Sequence, residues 1–435
     1  MYYKIVNKLK QSDSLGNAAA WVIGGNLLMN ILRLGSNLLL TRLLTPELFG
    51  VMAIAGSLHM AANMFSDVGI RSYFIYYKGD LNEDFLNSVW TIQIVRGGII
   101  LLISLLLMYP AVEFFNNDTL FFVLPIIGIG SLVLGFRSSM FLVYDRELKQ
   151  SSLVKIEMLS YFIQLVIIIP WAWISRDIWP LVWGCVINSV LIVLLSMFFL
   201  ENRKHSLNFN KRIFIELWAF GKWILLSSAM WFFIMQIDKV IIGKLSGMEQ
   251  LGIYSVAAVL FMSLKQFIDQ VLTRSFFQKY NEIIRNSSDN LMSSYMKYKL
   301  FMDISVGTGI VILLVFSGDL VSFLYDDRYQ DAGWMLSVLC VGALLFLYVK
   351  HIEVLMVAHG DTKAAFNLNV IRVVWLGFAL PVGQLWGLLG IIWCLALMEI
   401  VPLIYCLRKL SKYNLLNVYV EAPSFFLLIC SFLLG

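Results

Sequence analysis

Five basic side chains lie inside apolar runs, where an isolated charge is costly: Arg33 in NILRLGSNLLL, Arg137 in LGFRSSMF, Lys239 in WFFIMQIDKVIIG, Lys265 in FMSLKQFID and Arg372 in NVIRVVW. A lone charge at the centre of a membrane helix costs about 2.5–3.5 kcal/mol on the insertion scale, so such a residue faces a partner, a water-filled cavity or a substrate path. Arg33, Arg137 and Arg372 have no acidic residue within four positions, and therefore no intrahelical counter-ion. If the five converge, they form a cationic cavity suited to a phosphate or pyrophosphate, which arginine grips through forked hydrogen bonds. A second set, His59, Asn63, Asp67, Asp238 and Asp269, is suited to coupling or gating, because His59 and Asn63 share one helix face while Phe261, Lys265 and Asp269 share another.

Structural readings stand beside these. Lys239 can snorkel outward, and Arg33 can satisfy interhelical carbonyls. Lys265 with Asp269 and Asp67 with Arg71 are spaced to neutralise each other, as are Lys350 and Glu353; Glu399 in LALMEI is a further acid at depth. Enzyme signatures are missing: there is no GxSxG, HExxH, Walker-type phosphate loop or GxGxxG, and the four histidines are scattered. The five cysteines show no CxxC or Cys/His spacing and read as small core residues. The chain is thus expected not to be an enzyme, with no catalytic residue, metal or cofactor.

The elements that must hold these charges are membrane helices. The chain is 60% hydrophobic and only 14% charged, with mean hydropathy +0.79, against about 25% charged in soluble domains. Apolar runs predict twelve spans, near 18–41, 49–69, 88–109, 119–143, 152–174, 178–200, 217–242, 250–272, 300–324, 333–358, 364–384 and 387–407. Lys4, Lys8 and Lys10, then Arg71 and Lys78, Arg146 and Lys149, Arg203 to Arg212, Arg274 to Lys297, Lys363, and Arg408 to Lys412 fall on alternate loops. That pattern puts the N-terminus on the cytoplasmic side, and it accounts for the net charge of +5 without a nucleic-acid partner. The N-terminus has a basic start but no clean cleavage site, so no cleaved signal peptide is expected. A further apolar run from Ala422 to Gly435 is too short to cross.

The stretch from Leu43 to Phe74 recurs at an offset of 202 residues. Leu43, Glu47, Gly50, Ala55, Leu58, Met60, Phe65, Asp67 and Phe74 meet Leu245, Glu249, Gly252, Ala257, Leu260, Met262, Phe267, Asp269 and Phe276 without a gap. Recurrence of the acids and the glycine exceeds what shared apolar composition gives, so a duplicated bundle is expected, a recurring transporter plan with the substrate path between the halves. The organisation read from this is a lobe over 1–205 carrying spans one to six, a second over 206–412 carrying spans seven to twelve, and an incomplete hydrophobic segment over 413–435.

The segments LLLTRLLTPELFGVMAIAGSL, DVGIRSYFIYYKGDLNEDFLNSVW and FGKWILLSSAMWFFIMQIDKVIIGKLSGMEQLGIYSVA resemble the polysaccharide transporter (Wzx-type) flippases of the MATE-like superfamily, nearest the colanic-acid and lipopolysaccharide exporter branch. The resemblance implies an all-α polytopic bundle of two six-helix lobes. It further implies movement of an undecaprenyl-pyrophosphate-linked oligosaccharide from the cytoplasmic to the outer leaflet by alternating access, driven by an ion gradient. Its partners would be that lipid-linked substrate, membrane lipid, and the polysaccharide polymerase and export machinery. The family's last pair of helices is longer than 422–435 supplies. Two alternatives stand: an ion-coupled antiporter of small amphiphilic or cationic compounds, and a membrane polymerase or glycosyltransferase of the same pathway. Short outside loops argue against the last.

Overall fold

A computed structural model describes residues 24–25, 28–200, 205–286, 291–412 and 418–434. Lys4, Lys8, Lys10, Arg203, Lys204 and the first residues of the span expected at 18–41 lie outside the described residues. Among the described residues the protein is all helix, with no strand. In hydrocarbon no water competes for the backbone, so intrahelical hydrogen bonding is the economical way to span.

The helices are α1 (28–43), α2 (Pro46–Phe65), α3 (Ile70–Tyr76), α4 (Glu83–Phe115), α5 (Leu120–Gly135), α6 (Met140–Arg146), α7 (Gln150–Ser175), α8 (Trp179–Phe199) and α9 (Lys211–Leu245). They continue as α10 (Gly247–Val271), α11 (Phe277–Asn286), α12 (Leu291–Met302), α13 (Thr308–Val315), α14 (Ser317–Leu324), α15 (Ala332–Ala358), α16 (Thr362–Leu376), α17 (Ala379–Ala396), α18 (Ile400–Lys412) and α19 (Val418–Leu434). Among the described residues, 8 helical stretches are long and apolar enough to cross a membrane, or 9 counting the bent pair α5 and α6. The chain is a multi-pass membrane protein. Every expected span from 49–69 onward overlaps helix, with the span expected at 119–143 divided between α5 and α6 and that at 364–384 between α16 and α17, and α19, at 17 residues with Pro423 inside it, stays short.

Contacts divide the chain into two compact units that meet at Phe232 and Phe233, within α9. The internal repeat has a counterpart in burial. The buried positions Pro46, Gly50, Val51, Ile54 and Ala55 of α2 fall, at the offset read from the sequence, on Met248, Gly252, Ile253, Val256 and Ala257, all buried in α10. In the second unit α15 is the central helix, buried on nearly every side from Ala332 to Met356, as a helix apolar around its whole circumference up to Val349 requires.

In the first unit, two spans are broken. Helix α2 gives way to α3 through Ser66–Gly69, where Gly69 adopts φ 67° and its N–H is accepted by Asp67 Oδ1 at 2.9 Å. Helix α5 gives way to α6 with a bend of 71°. The two short arms are pinned together by Arg71, whose Nε and NH2 donate to Asp145 at 2.5 and 2.9 Å. At the first break α9 comes close: a Cβ on Gly221 would stand 1.9 Å from the Val68 carbonyl oxygen. Backbone cannot yield there as a side-chain tip would. Gly221→Ala is expected to lower stability by about 1–3 kcal/mol, seen as an earlier thermal transition of the purified chain. Gly98→Ala, whose added Cβ meets nothing within 4 Å, should leave the transition where it is.

Candidate functional site

Arg137 sits in the break between α5 and α6, and the freed backbone there is re-satisfied piece by piece. Trp90 Nε1 donates to the Phe136 carbonyl at 3.3 Å. Ser138 N–H reaches Ser196 Oγ at 3.2 Å, and Ser139 N–H reaches His205 Nε2 at 3.2 Å. Non-helical backbone at membrane depth is tolerated where it is buried in protein or lines a cavity. Here it does both, and it delivers a guanidinium.

Helix α4 meets α5 through small residues. A Cβ on Gly97 would lie 2.7 Å from the Ser131 carbonyl oxygen, and one on Gly135 would lie 2.9 Å from that of Gln93. Glycine on both sides lets the backbones touch, and the contact brings Gln93 and Arg96 of α4 against Ser131 and Arg137. Between them and Asn63 lies a polar cavity of about 80 Å³. Arg96 NH2 donates to the Asn63 carbonyl at 3.0 Å, and the Arg137 guanidinium rests over Phe141, 4.0 Å from the ring centroid. Neither arginine makes an ion pair with a carboxylate among the described residues. Gln93 Nε2, Arg96 Nε and Arg137 Nε are buried with no hydrogen-bond partner.

His59 stands behind this wall. Asn63 Nδ2 donates to the His59 carbonyl at 3.0 Å and lies 2.9 Å from His59 Nε2. Ser131 Oγ is 3.2 Å from the same nitrogen. His59 thereby holds two of the cavity-lining side chains.

The other expected site residues are placed elsewhere. Arg33 is exposed on α1, with its guanidinium 6.0 Å from the Tyr161 ring centroid. Asp67 caps Gly69 rather than pairing with Arg71. In the second unit, Lys239 Nζ donates to Gln236 Oε1 at 2.9 Å, and buried Asp238 accepts from Tyr254 Oη at 2.6 Å through Oδ2 while its Oδ1 has no partner. Lys265 is buried between Phe261 and Phe346, 5.3 and 4.5 Å from their ring centroids, and Asp269 pairs with Lys350 instead, at 3.1 Å. Arg372, without an acidic neighbour in sequence, is clamped by Glu399 at 2.9 Å and by Glu353 at 3.3 Å. Lys350 and Glu353 do pair, at 2.9 Å. Of the five expected cations, Arg137 lines the polar cavity; Arg372 is part of a buried ion-pair network.

Gln93 and Arg96 are missing from the sequence-based set. Arg96, in IQIVRGGII, has no acidic residue within four positions and lies inside an expected span, so the test that singled out Arg33 also selects it. Among the described residues no group of His, Cys, Asp and Glu could hold a metal ion.

The two electrostatic arrangements respond differently to neutralisation. Arg372→Ala strands Glu399 and Glu353 in the interior and is expected to destabilise by about 3–5 kcal/mol, with loss of monodisperse protein in detergent. Arg137→Gln strands no carboxylate, so its thermal transition should stay within a few degrees of the parent.

Comparison with known proteins agrees with this architecture. The chain is 20% identical over 368 residues to the lipopolysaccharide biosynthesis protein WzxC of Escherichia coli (strain K12), covering 83% of this chain and 74% of that one. It is 22% identical over 372 residues to the teichuronic acid biosynthesis protein TuaB of Bacillus subtilis (strain 168), covering 81% and 74%. Its fold resembles the lipid II flippase MurJ in an inward closed conformation, with TM-score 0.71 and 15% identity over 95% of this chain and 92% of the other. An inward-facing multidrug resistance MATE family transporter of the MOP superfamily gives TM-score 0.64 and 15% identity over 88% and 94%. The family model described as polysaccharide biosynthesis protein matches residues 39–333, and the chain belongs to that family.

Proposed function

We propose that the protein is a flippase that carries an undecaprenyl-pyrophosphate-linked oligosaccharide from the cytoplasmic to the outer leaflet of a bacterial inner membrane, with its N-terminus in the cytoplasm. The observation that carries this reading is the pair Arg96 and Arg137, two guanidiniums that line one polar cavity with no paired carboxylate among the described residues. A transporter of cations would be repelled by such a wall, whereas a diphosphate is attracted to it. The lipid-handling and polysaccharide names among the similar proteins support the same substrate class. Movement proceeds by alternating exposure of the site to the two leaflets without covalent chemistry. The repeat boundary near 205/206 divides the proposed moving lobes. The pathway's polymerase and export machinery are its proposed partners.

A second reading, antiport of small cationic compounds, is favoured by one observation, the unpaired Oδ1 of buried Asp238. Proteoliposomes holding an undecaprenyl-pyrophosphate oligosaccharide and a sugar-modifying enzyme confined to one side separate the two. Protein-dependent exposure of the sugar is expected, reduced tenfold or more by combining Arg96→Gln with Arg137→Gln. Export of a cationic dye with no sugar exposure would select the antiporter.

A further inference from the structure

We propose that the groove between α1 and α7 is a binding site for one glycerophospholipid with an anionic headgroup, the headgroup at Lys155 and an acyl chain along the apolar walls. The groove shares no residue with the cavity at Arg96 and Arg137. Its assignment to the cytoplasmic leaflet rests on the orientation in the flippase reading; the groove itself does not.

Three observations carry it. The first is a space held open from both ends. Gly25, just before α1, lies against Val154 with no room for a Cβ, and Ser36 Oγ is 2.9 Å from Tyr161 Oη. Helix α1 is thus fastened to α7 at two points, and beside them lies a cavity of about 680 Å³, within the range of about 300–1,000 Å³ that holds small ligands. Protein interiors close over a gap of this size, so one that stays open toward the membrane is left to lipid.

The second is the division of its lining. Leu28 and Leu32 of α1 stand with Ile156, Leu159 and Phe162 of α7, and Leu28, Leu159 and Phe162 are exposed. These walls suit hydrocarbon and give a polar ligand nothing to bond. Polar lining is gathered at one end, where Ser152 and Lys155 occupy the first two turns of α7. Glu157 follows Lys155 by two positions, about 200° around the helix, and so points to another face. A free anion would use the lysine without the walls, and a neutral chain the walls without the lysine. A phospholipid of negative charge uses both.

The third is length. Ser152 and Phe162 are ten residues apart, about 15 Å of helix, which is half of a hydrocarbon core roughly 30 Å thick. The groove therefore runs the depth of one leaflet. Its polar end adjoins Arg146 and Lys149, on a loop whose charge marks the cytoplasmic side.

The test is native mass spectrometry of the full chain in detergent after exposure to equimolar phosphatidylglycerol and phosphatidylcholine with identical acyl chains. One phosphatidylglycerol per chain is expected, favoured about fivefold, the preference that one cation near the membrane surface gives. Lys155→Gln should bring the ratio to about one, and Leu159→Trp, which fills the groove, should release both lipids. Lys155 and Leu159 are both exposed, so folding tolerates these exchanges. Arg96→Gln combined with Arg137→Gln should leave the ratio unchanged, which separates the groove from the substrate cavity. Equal retention of the two lipids by the parent, or a preference that persists in Lys155→Gln, overturns the proposal. A dimer without bound lipid gives the groove to a second copy and overturns it as well. Because no lipid-linked oligosaccharide is present, failure here leaves sugar exposure in proteoliposomes standing, and loss of that exposure leaves the lipid count standing.

Discussion

A helix that breaks inside a membrane frees amides and carbonyls that no solvent will satisfy, and the first unit of this protein is built around two such breaks. At Phe136–Ser139 the freed groups are taken up by Trp90, Ser196 and His205, side chains from three separate parts of the chain. The repair fixes α4, α8 and the segment before α9 around one point. Because the backbone is irregular there, Arg137 leaves the span at an angle that a continuous helix would not give it. The second break, at Ser66–Gly69, is closed by Asp67 and by the tight approach of Gly221. Arg71 and Asp145 then tie the two short arms together.

The units deal with buried charge in contrasting ways. In the second, Asp269, Lys350, Glu353, Arg372 and Glu399 form a chain of ion pairs in which each cation touches two carboxylates. Such a network ties helices α10, α15, α16 and the turn before α18 to one another. In the first, the cations around the cavity have hydrogen-bonding capacity unused. Stability is placed in one arrangement and binding potential in the other, and the difference rests on whether acidic residues from neighbouring helices reach the cation.

Much of the architecture was legible in the sequence because it depends on local pattern. Apolar runs marked the helices, and the repeat anchored on Gly50 and Gly252 reappears as matched burial in α2 and α10. The breaks were less visible. Gly69 stands at one, but the Phe136–Ser139 break has neither glycine nor proline and is set by tertiary partners. The site was legible in part for the same reason. A charge weighed against its own helix alone singles out Arg137 and Arg372 alike, because nothing within four positions shows that Glu399, 27 residues away, clamps Arg372. Arg96 answered to the rule already in use, whereas Gln93 carries no charge and becomes notable only once its unpaired amide is seen beside two guanidiniums.

The central claim is that unpaired guanidiniums in the first unit recognise the diphosphate of a lipid-linked oligosaccharide. Native mass spectrometry of the full chain titrated with undecaprenyl-pyrophosphate oligosaccharide tests it most directly, because it counts bound lipid without requiring transport. One lipid per chain is expected, with affinity falling at least tenfold when Arg96→Gln and Arg137→Gln are combined and unchanged for the same glycan on an uncharged lipid carrier, which should bind weakly to both. Equal retention of the diphosphate lipid by the parent and the double variant would contradict the account.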